Sequence, residues 1–386
     1  MNRLQQLHEL GQSTWLNFLN RPFIQSGQLR QHVAEGIQGF TANAANFNTV
    51  LNTTTDYDDA IWEQVKSGTL APQIYDKLVR YDVQIASDYM HTVYQESNGR
   101  EGYVSLELNP GLMHDTVNTV AEVTHLEAAI NRANAMVELP ATPAGIEAVK
   151  RLTKDGVSLN ITHVFSVDVY EQAARAYLEG LEIFLDSHSI WRFVPVSVVS
   201  FSLSPLDEAL DPILGEHGRP KMLGKTAVSQ AKLLYLRCQE IFSGDQWEKL
   251  AKRGGVILRP KWSRTTPRNP AYPETFYIDA LIGPGTVTTF SPRTLAAFMD
   301  HGRVGPTLSM GLEEAQAHAH QLTLLGINME MIAQTLQDEY LALSEKQFQL
   351  ITKNIGLKRE ALEAQWSTPA VLPHHSAQPP TSRPAA

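Results

Sequence analysis

The chain has 386 residues, of which 43% are hydrophobic, so it can bury a sizeable core as one large domain or two medium ones. Its formal net charge is −9 and its Lys and Arg are scattered, which disfavours nucleic acid and anionic membranes as partners. The single cysteine, Cys238, excludes an intramolecular disulfide and a cysteine-based metal site. The sequence shows neither a signal peptide nor an apolar run long enough to span a membrane, so we predict a soluble, cytoplasmic protein.

Short apolar runs alternate with helical patterns along the chain. Strands are predicted at 36–43, 103–110, 135–140, 157–166, 194–204 and 255–263, and helices at 114–133, 142–156, 167–185 and around Cys238. This alternation predicts parallel β-α units, and no glycine-rich dinucleotide loop follows the first strand. We therefore predict a (β/α)8 TIM barrel with extra helices over residues 1–366, followed by a disordered tail rich in Pro, Ser and Ala at 367–386.

Polar side chains lie near the ends of three predicted strands. Because side chains alternate between the two faces of a strand, Asn160 and Thr162 share one face of their strand. Glu107 and Glu138 lie near the ends of two other predicted strands, each on one face of its strand. A barrel builds its pocket at these ends, and its interior is normally filled with branched apolar residues. The set therefore predicts a polar pocket in which two close carboxylates cannot both ionise easily, so that the pKa of one of them rises toward neutrality. The alternative is that each glutamate points outward to a helix lysine or to water.

Three further polar residues lie near the ends of predicted strands. His163 follows Thr162 and is predicted to face the helix layer as a structural histidine. Arg264 and Arg268 follow the strand at 255–263 and are predicted to bind an anionic group of the substrate.

Several motifs, in this order along the chain, resemble the transaldolase family in its longer bacterial form over roughly residues 10 to 360. They are GQSTWLNFLNR (11–21), GFTANAANF (39–47), VSLELNPGLMHDT (104–116), MVELPATPAGI (136–146), NITHVFSVDVYEQAARAYLEGLE (160–182), SVVSFSLSPLD (197–207), RPKWSRTTPRNPAYP (259–273) and IDALIGPGTVTTFSPRTLAAFMDHG (278–302). The resemblance implies a barrel of the class I aldolase type. It also implies that a common set of pocket residues is kept, namely Glu107, Asn43, Asn160, Thr162 and Ser200.

The departures from the family pattern fall on the chemistry. The family's Schiff-base lysine position holds Glu138, and its catalytic aspartate position holds Asn17. A carboxylate cannot form an imine, and an amide cannot exchange protons near neutral pH. Three positions near the substrate also differ from the family: Ala44 follows the pocket asparagine, Pro205 replaces a phosphate-binding arginine, and Arg264 replaces a small residue.

One lysine, Lys261, lies near a strand end. Its neighbour Trp262 and the family's register predict that Lys261 points away from the pocket, so that no nucleophilic lysine remains there.

These residues predict a transaldolase-like enzyme that no longer uses the family's Schiff-base lysine. Glu138 and Glu107 would act as an acid–base pair in C–C bond formation, cyclisation, condensation or isomerisation in specialised metabolism, with Asn17 and the pocket residues orienting a small, anionic or sugar-derived substrate. No cofactor is predicted, and no metal, because two carboxylates are a thin ligand set. The chain is predicted to be a monomer or homodimer. The alternatives are a non-catalytic relative that binds a sugar phosphate or a protein, and ordinary transaldolase activity.

Overall fold

The computed structural model describes residues 1–187 and 194–366, so the predicted tail at 367–386 lies outside the described residues. Eight parallel strands in this part of the chain form one closed barrel in chain order, which confirms the predicted (β/α)8 fold. The strands are β1 (Gln12–Leu16), β2 (Gly39–Thr41), β3 (Tyr103–Glu107), β4 (Ala135–Pro140), β5 (Leu159–Val164), β6 (Val198–Ser202), β7 (Arg259–Ser263) and β8 (Thr286–Phe290).

Helices surround the barrel and cover both of its ends. They are α1 (Arg3–Glu9), α2 (Arg21–Gln25), α3 (Gln28–Glu35), α4 (Ala44–Thr53), α5 (Asp58–Lys66), α6 (Ala71–Glu96), α7 (Thr116–Ile130), α8 (Pro143–Lys154), α9 (Val167–Ser187), α10 (Ser204–Glu216), α11 (Thr226–Ile241), α12 (Gly244–Lys252), α13 (Phe276–Ala280), α14 (Pro292–His301), α15 (Leu312–Leu324) and α16 (Met329–Trp366), with short 3-10 helices at Pro110–Leu112 and Pro220–Met222. Within the described ranges, none of these helices combines the length and apolarity needed to cross a bilayer.

The first and last strands were not predicted from the hydrophobic pattern. Every residue of β1 and of β8 is buried, so neither strand alternates between apolar and polar positions as a half-exposed strand does. In β8, the β-branched run TVTTF is the signal that a strand prediction would have used.

The lower half of the barrel interior is filled with apolar side chains. Trp15, Tyr103, Met136, Val198 and Val287 belong to one buried cluster there. Gly39 of β2 is required for this packing, because a Cβ atom at that position would lie 2.4 Å from Cε2 of Trp15. The filled lower half leaves room for a ligand only towards the carboxyl ends of the strands.

An ion pair closes the opposite, amino-terminal end of the barrel. Arg259, the first residue of β7, donates through Nη1 to Glu101 Oε1 at 2.5 Å, and Ser13 of β1 donates to Glu101 Oε2 at 2.6 Å. Both charged side chains are nearly buried, at 10% and 14% exposure. The pair thus joins β1, β7 and the segment before β3 beneath the apolar layer.

Helix α16, which is 38 residues long, lies across the carboxyl end of the barrel. Its Gln337 donates to the carbonyls of Ala141 and His163, at 3.1 and 3.0 Å, which holds the helix against the loop after β4 and the end of β5. Further along, Ile351, Ile355 and Leu362 of the same helix pack into a cluster formed with α4, α5 and α6. The helix therefore contributes side chains to the mouth of the barrel.

Candidate active site

A cavity of about 150 Å³ lies at the carboxyl end of the barrel. It is lined by residues of all eight strands or the loops that follow them and by α16. Seven of the predicted site residues line it, namely Asn17, Asn43, Glu107, Glu138, Thr162, Ser200 and Arg264. Residues that the sequence did not predict for the site also line it, among them Thr41, His163, Lys261, Thr289, Ser344 and Gln347.

Glu107 and Glu138 lie on adjacent strands at the same height in the barrel. The register of β3 and β4 pairs the two residues directly, and both side chains are partly buried in the cavity. The pKa of Glu107 is raised to about 7, chiefly by burial and secondly by repulsion from Glu138. A hydrogen bond from Ser344 and the charge of Arg264 act in the opposite direction. Burial also raises the pKa of Glu138. The alternative that these glutamates face outward is therefore excluded, and the cavity holds two carboxyl groups whose pKa values are raised above their ordinary range.

Lys261 also lies in this cavity, and the prediction that it points away was wrong. Side chains alternate along β7, and Trp262 occupies the layer between barrel and helices, where its indole N–H donates to Leu281 O at 3.1 Å. Lys261 must therefore face the interior, in the same direction as Arg259. It is 3% exposed, and burial, opposed by the charge of Glu138, lowers its pKa to about 8.

A directional chain of hydrogen bonds links Lys261 to Glu138 through residues of five strands. Lys261 Nζ donates to Ser200 Oγ (3.2 Å), and Ser200 Oγ donates to Asn160 Oδ1 (2.7 Å). Asn160 Nδ2 donates to Ser105 Oγ (3.3 Å), which donates to Glu138 Oε1 (2.5 Å). This series of hydrogen bonds begins at the amine of Lys261 and ends at the carboxylate of Glu138. Every donor in the series therefore has an acceptor when Glu138 accepts from Ser105. Asn160 is not among the residues that line the cavity; it is fully buried and is connected to the site through these hydrogen bonds.

Asn17 and Asn43 form the opposite wall. The N–H of Asn17 donates to Phe290 O at 2.8 Å, which continues the pairing of β1 with β8 past the end of the strand. Asn43 caps α4 by accepting from the N–H of Asn46 at 3.0 Å, and its amide donates to Asn17 Oδ1 at 3.4 Å. The two amides are therefore held by backbone structure and present hydrogen-bonding groups to the cavity.

His163 reaches the cavity because β5 is irregular. The register of β5 against β6 shifts between Ile161 and Val164, and His163 has a φ of +58°. Thr162 and His163 consequently both line the cavity, so the prediction that His163 faces the helix layer was wrong. Burial lowers its pKa to about 4, so it is a neutral imidazole at pH 7.

The two predicted anion-binding arginines have different surroundings. Arg264 stands at the cavity mouth with a φ of +51°, and its guanidinium lies 4.1 Å from the ring centroid of Tyr340 of α16. Arg268 does not enter the cavity. It is paired with Glu208 at 3.0 Å and lines a separate groove of about 520 Å³ between α10 and α16, beside Pro205.

The raised pKa of Glu107 predicts a pH-dependent gain in stability for Glu107→Gln. A carboxyl group with a pKa near 7 when folded and near 4.3 when unfolded binds protons preferentially in the folded state. The wild type then loses stability as pH rises from about 4 to about 8, whereas the glutamine does not ionise. The variant's advantage in unfolding free energy should grow by up to about 3 kcal/mol across that range.

This advantage is measured by denaturant unfolding at a series of pH values. Glu248→Gln, at an exposed position of α12, is the matched control and should show no such trend. A constant difference between Glu107→Gln and wild type would contradict the prediction.

Comparison with known proteins matches most of the chain to one family. Residues 14–355 match the family described as Transaldolase/Fructose-6-phosphate aldolase. A protein named Transaldolase from Neisseria gonorrhoeae is 37% identical over 350 residues, which cover 90% of this chain and 98% of that protein. Transaldolase 1 from Streptomyces avermitilis is 34% identical, with 89% and 92% covered. The chain therefore belongs to the transaldolase/fructose-6-phosphate aldolase family.

Proposed function

We propose that this chain is an enzyme that makes, breaks or rearranges a C–C bond beside a carbonyl group by proton transfer at Glu107 and Glu138. The observation that carries the proposal is the register pairing of these two residues inside one cavity, with a pKa near 7 for Glu107. A general acid or base works best when its pKa lies near the working pH. The cavity provides such a group, together with a second carboxyl next to it.

The rest of the cavity suits a small polar substrate. Asn17, Asn43 and Thr162 offer hydrogen bonds to hydroxyl or carbonyl groups. Arg264, which is solvent-accessible at the mouth, offers a guanidinium to an anionic group. A hydroxylated, anionic or sugar-derived carbonyl compound fits this arrangement.

Transaldolase activity itself is the second candidate. The similarity to proteins named Transaldolase supports it, and so does the amine of Lys261 in the cavity. It requires Lys261 to take over a role that Glu138 cannot fill.

The proposal is tested by hydrogen exchange in D2O. Wild-type protein is incubated with dihydroxyacetone, dihydroxyacetone phosphate or fructose 6-phosphate, and loss of the α-hydrogen signals is followed by NMR. We expect exchange above the buffer rate with at least one compound, and a loss of about 100-fold or more in Glu107→Gln, the lower range for removal of a general base.

Glu248→Gln is again the control and should exchange at the wild-type rate. Equal exchange in Glu107→Gln would contradict the proposal. If wild type binds a compound tightly by calorimetry but exchanges none of them, the non-catalytic alternative is favoured.

A further inference from the structure

A lysine amine inside the barrel has no role in the proton transfer proposed for the two glutamates. Lys261 lies on the seventh strand, whereas the position at which the family carries its lysine is on the fourth and holds Glu138. The side chain is buried, yet it borders the cavity that also holds Glu107 and Glu138. An amine in that place can meet a bound carbonyl compound.

The amine of Lys261 makes few contacts with the described residues around it, so it can still react with a bound compound. Among the residues that the structure describes, its hydrogen-bond partner is Ser200 Oγ, although an ammonium group has three donors. The indole of Trp15 lies on another side, with its ring centroid 5.0 Å from Nζ. Burial of this amine in the low-dielectric wall disfavours the ammonium form and lowers its pKa to about 8, although the charge of Glu138 opposes the shift.

The simpler role for Lys261 is that of a counter-ion to Glu138. That role requires only a positive charge, and an arginine would supply it equally well. The position of the amine at the cavity surface is not explained by charge balance, because a counter-ion is equally effective behind the wall. The two roles can therefore be separated by a change that keeps the charge and removes the nucleophile.

We propose that Lys261 is a nucleophile that forms an imine with the carbonyl substrate, so that the covalent chemistry has moved from the fourth strand to the seventh. This inference rests on the proposed function only in requiring a carbonyl substrate. The neutral amine attacks the carbonyl carbon, the carbonyl oxygen takes a proton from a carboxyl group of the cavity, and the nitrogen returns one proton to the carboxylate so formed. Loss of water from the carbinolamine replaces C=O by C=N. Hydrolysis reverses the steps and restores the free amine.

The position of Glu138 fits this sequence of steps. When protonated, it can supply the proton that the departing water carries away. As a carboxylate, it faces the iminium cation that replaces the ammonium of Lys261. A positive charge therefore lies opposite Glu138 both before the reaction, on the ammonium of Lys261, and after imine formation, on the iminium.

The test uses a probe that does not depend on knowing the substrate. A 1,3-diketone such as acetylacetone condenses with a neutral lysine amine, with loss of water, to an enaminone that absorbs in the near ultraviolet. Full-length protein is incubated with acetylacetone at pH 7, and the modified residue is located by mass spectrometry. With a pKa near 8, Lys261 has about 200 times more neutral amine at pH 7 than a free lysine with a pKa near 10.4.

We expect one enaminone per chain, on Lys261, formed about 200-fold faster than on Lys249, which is exposed on α12. The adduct should disappear in Lys261→Arg, which keeps the charge opposite Glu138, and also in Lys261→Met. It should persist in Lys249→Met. Borohydride reduction with fructose 6-phosphate or dihydroxyacetone should place a stable secondary amine on the same residue.

Absence of an adduct on folded wild type, or modification of Lys261 no faster than that of Lys249, would overturn the inference. Full hydrogen exchange by Lys261→Arg would do the same, because that variant cannot form the imine. The two proposals fail separately. An enaminone on Lys261 without any α-hydrogen exchange removes the acid–base proposal alone, and exchange without the enaminone removes the nucleophile alone.

Discussion

Glu138→Gln is expected to lower kcat for the proposed reaction by about 1,000-fold, within the range observed when general acid–base groups are removed. The amide still accepts the hydrogen bond from Ser105, so the local geometry is kept, but it can neither give up nor take a proton at Glu138. The change also removes the negative charge that stabilises a cation at the position of the Lys261 amine. Both effects act on the chemical step, so we expect KM to change much less than kcat.

The measurement is steady-state kinetics with the compound that exchanges fastest in D2O. Glu248→Gln is the matched control for loss of one glutamate charge at an exposed position. A kcat within a factor of about ten of wild type would remove Glu138 from the chemistry, since acid–base groups contribute about 100-fold or more.

A double variant then shows how Glu138 and Lys261 depend on each other. Glu138→Gln leaves a buried lysine without its opposing charge, which destabilises the fold, and Lys261→Met on that background removes the unpaired charge. We expect the double variant to be more stable than Glu138→Gln alone, as measured by denaturant unfolding. Additive losses of stability would show that the two charges do not interact.

Arg259→Met is expected to cost about 3 kcal/mol of stability, the lower range for breaking a buried ion pair. Methionine fills much of the same volume but leaves Glu101 at the base of the barrel without its cationic partner. Ser13 cannot compensate, because it already donates to Glu101. The carboxylate would then have to be protonated, rehydrated or left unpaired, and each of these outcomes destabilises the closed barrel.

The size of this effect is checked against an exposed ion pair of the same kind. Arg293 and Glu274 form a pair at 2.5 Å, with the arginine 78% exposed. Arg293→Met should cost less than about 1 kcal/mol, as exposed pairs do. Equal losses of unfolding free energy in the two variants would show that burial does not increase the contribution of the Arg259–Glu101 pair to stability.

The seventh strand also shows where prediction from the family pattern failed. Arg259, Lys261 and Ser263 alternate with Pro260 and Trp262, so the strand has two faces that the sequence separates correctly. Which of these faces lies inside the barrel depends on the space that the indole of Trp262 fills against the helix layer. That space is formed by other elements, so the sequence of the strand could not reveal it.

The sequence by itself determined the barrel and much of the cavity wall. The alternation of strands and helices is local, and so is the period-two placement of Glu107, Glu138 and Asn160 near strand ends. Because a barrel brings the carboxyl ends of its strands together, this local information was sufficient to place these residues around one centre. The same reasoning located Arg264, whose position follows directly from the end of β7.

The tertiary structure decided what the local pattern could not contain. The irregularity in β5 turned His163 towards the cavity, and α16 brought Ser344 beside Glu107 from more than 200 positions further along the chain. Packing around Trp262 directed Lys261 inward, towards Glu138. These contacts depend on which surfaces fill the same space, and that is a property of the folded chain as a whole. Hence the pair of glutamates could be predicted from the sequence, whereas the amine that faces them could not.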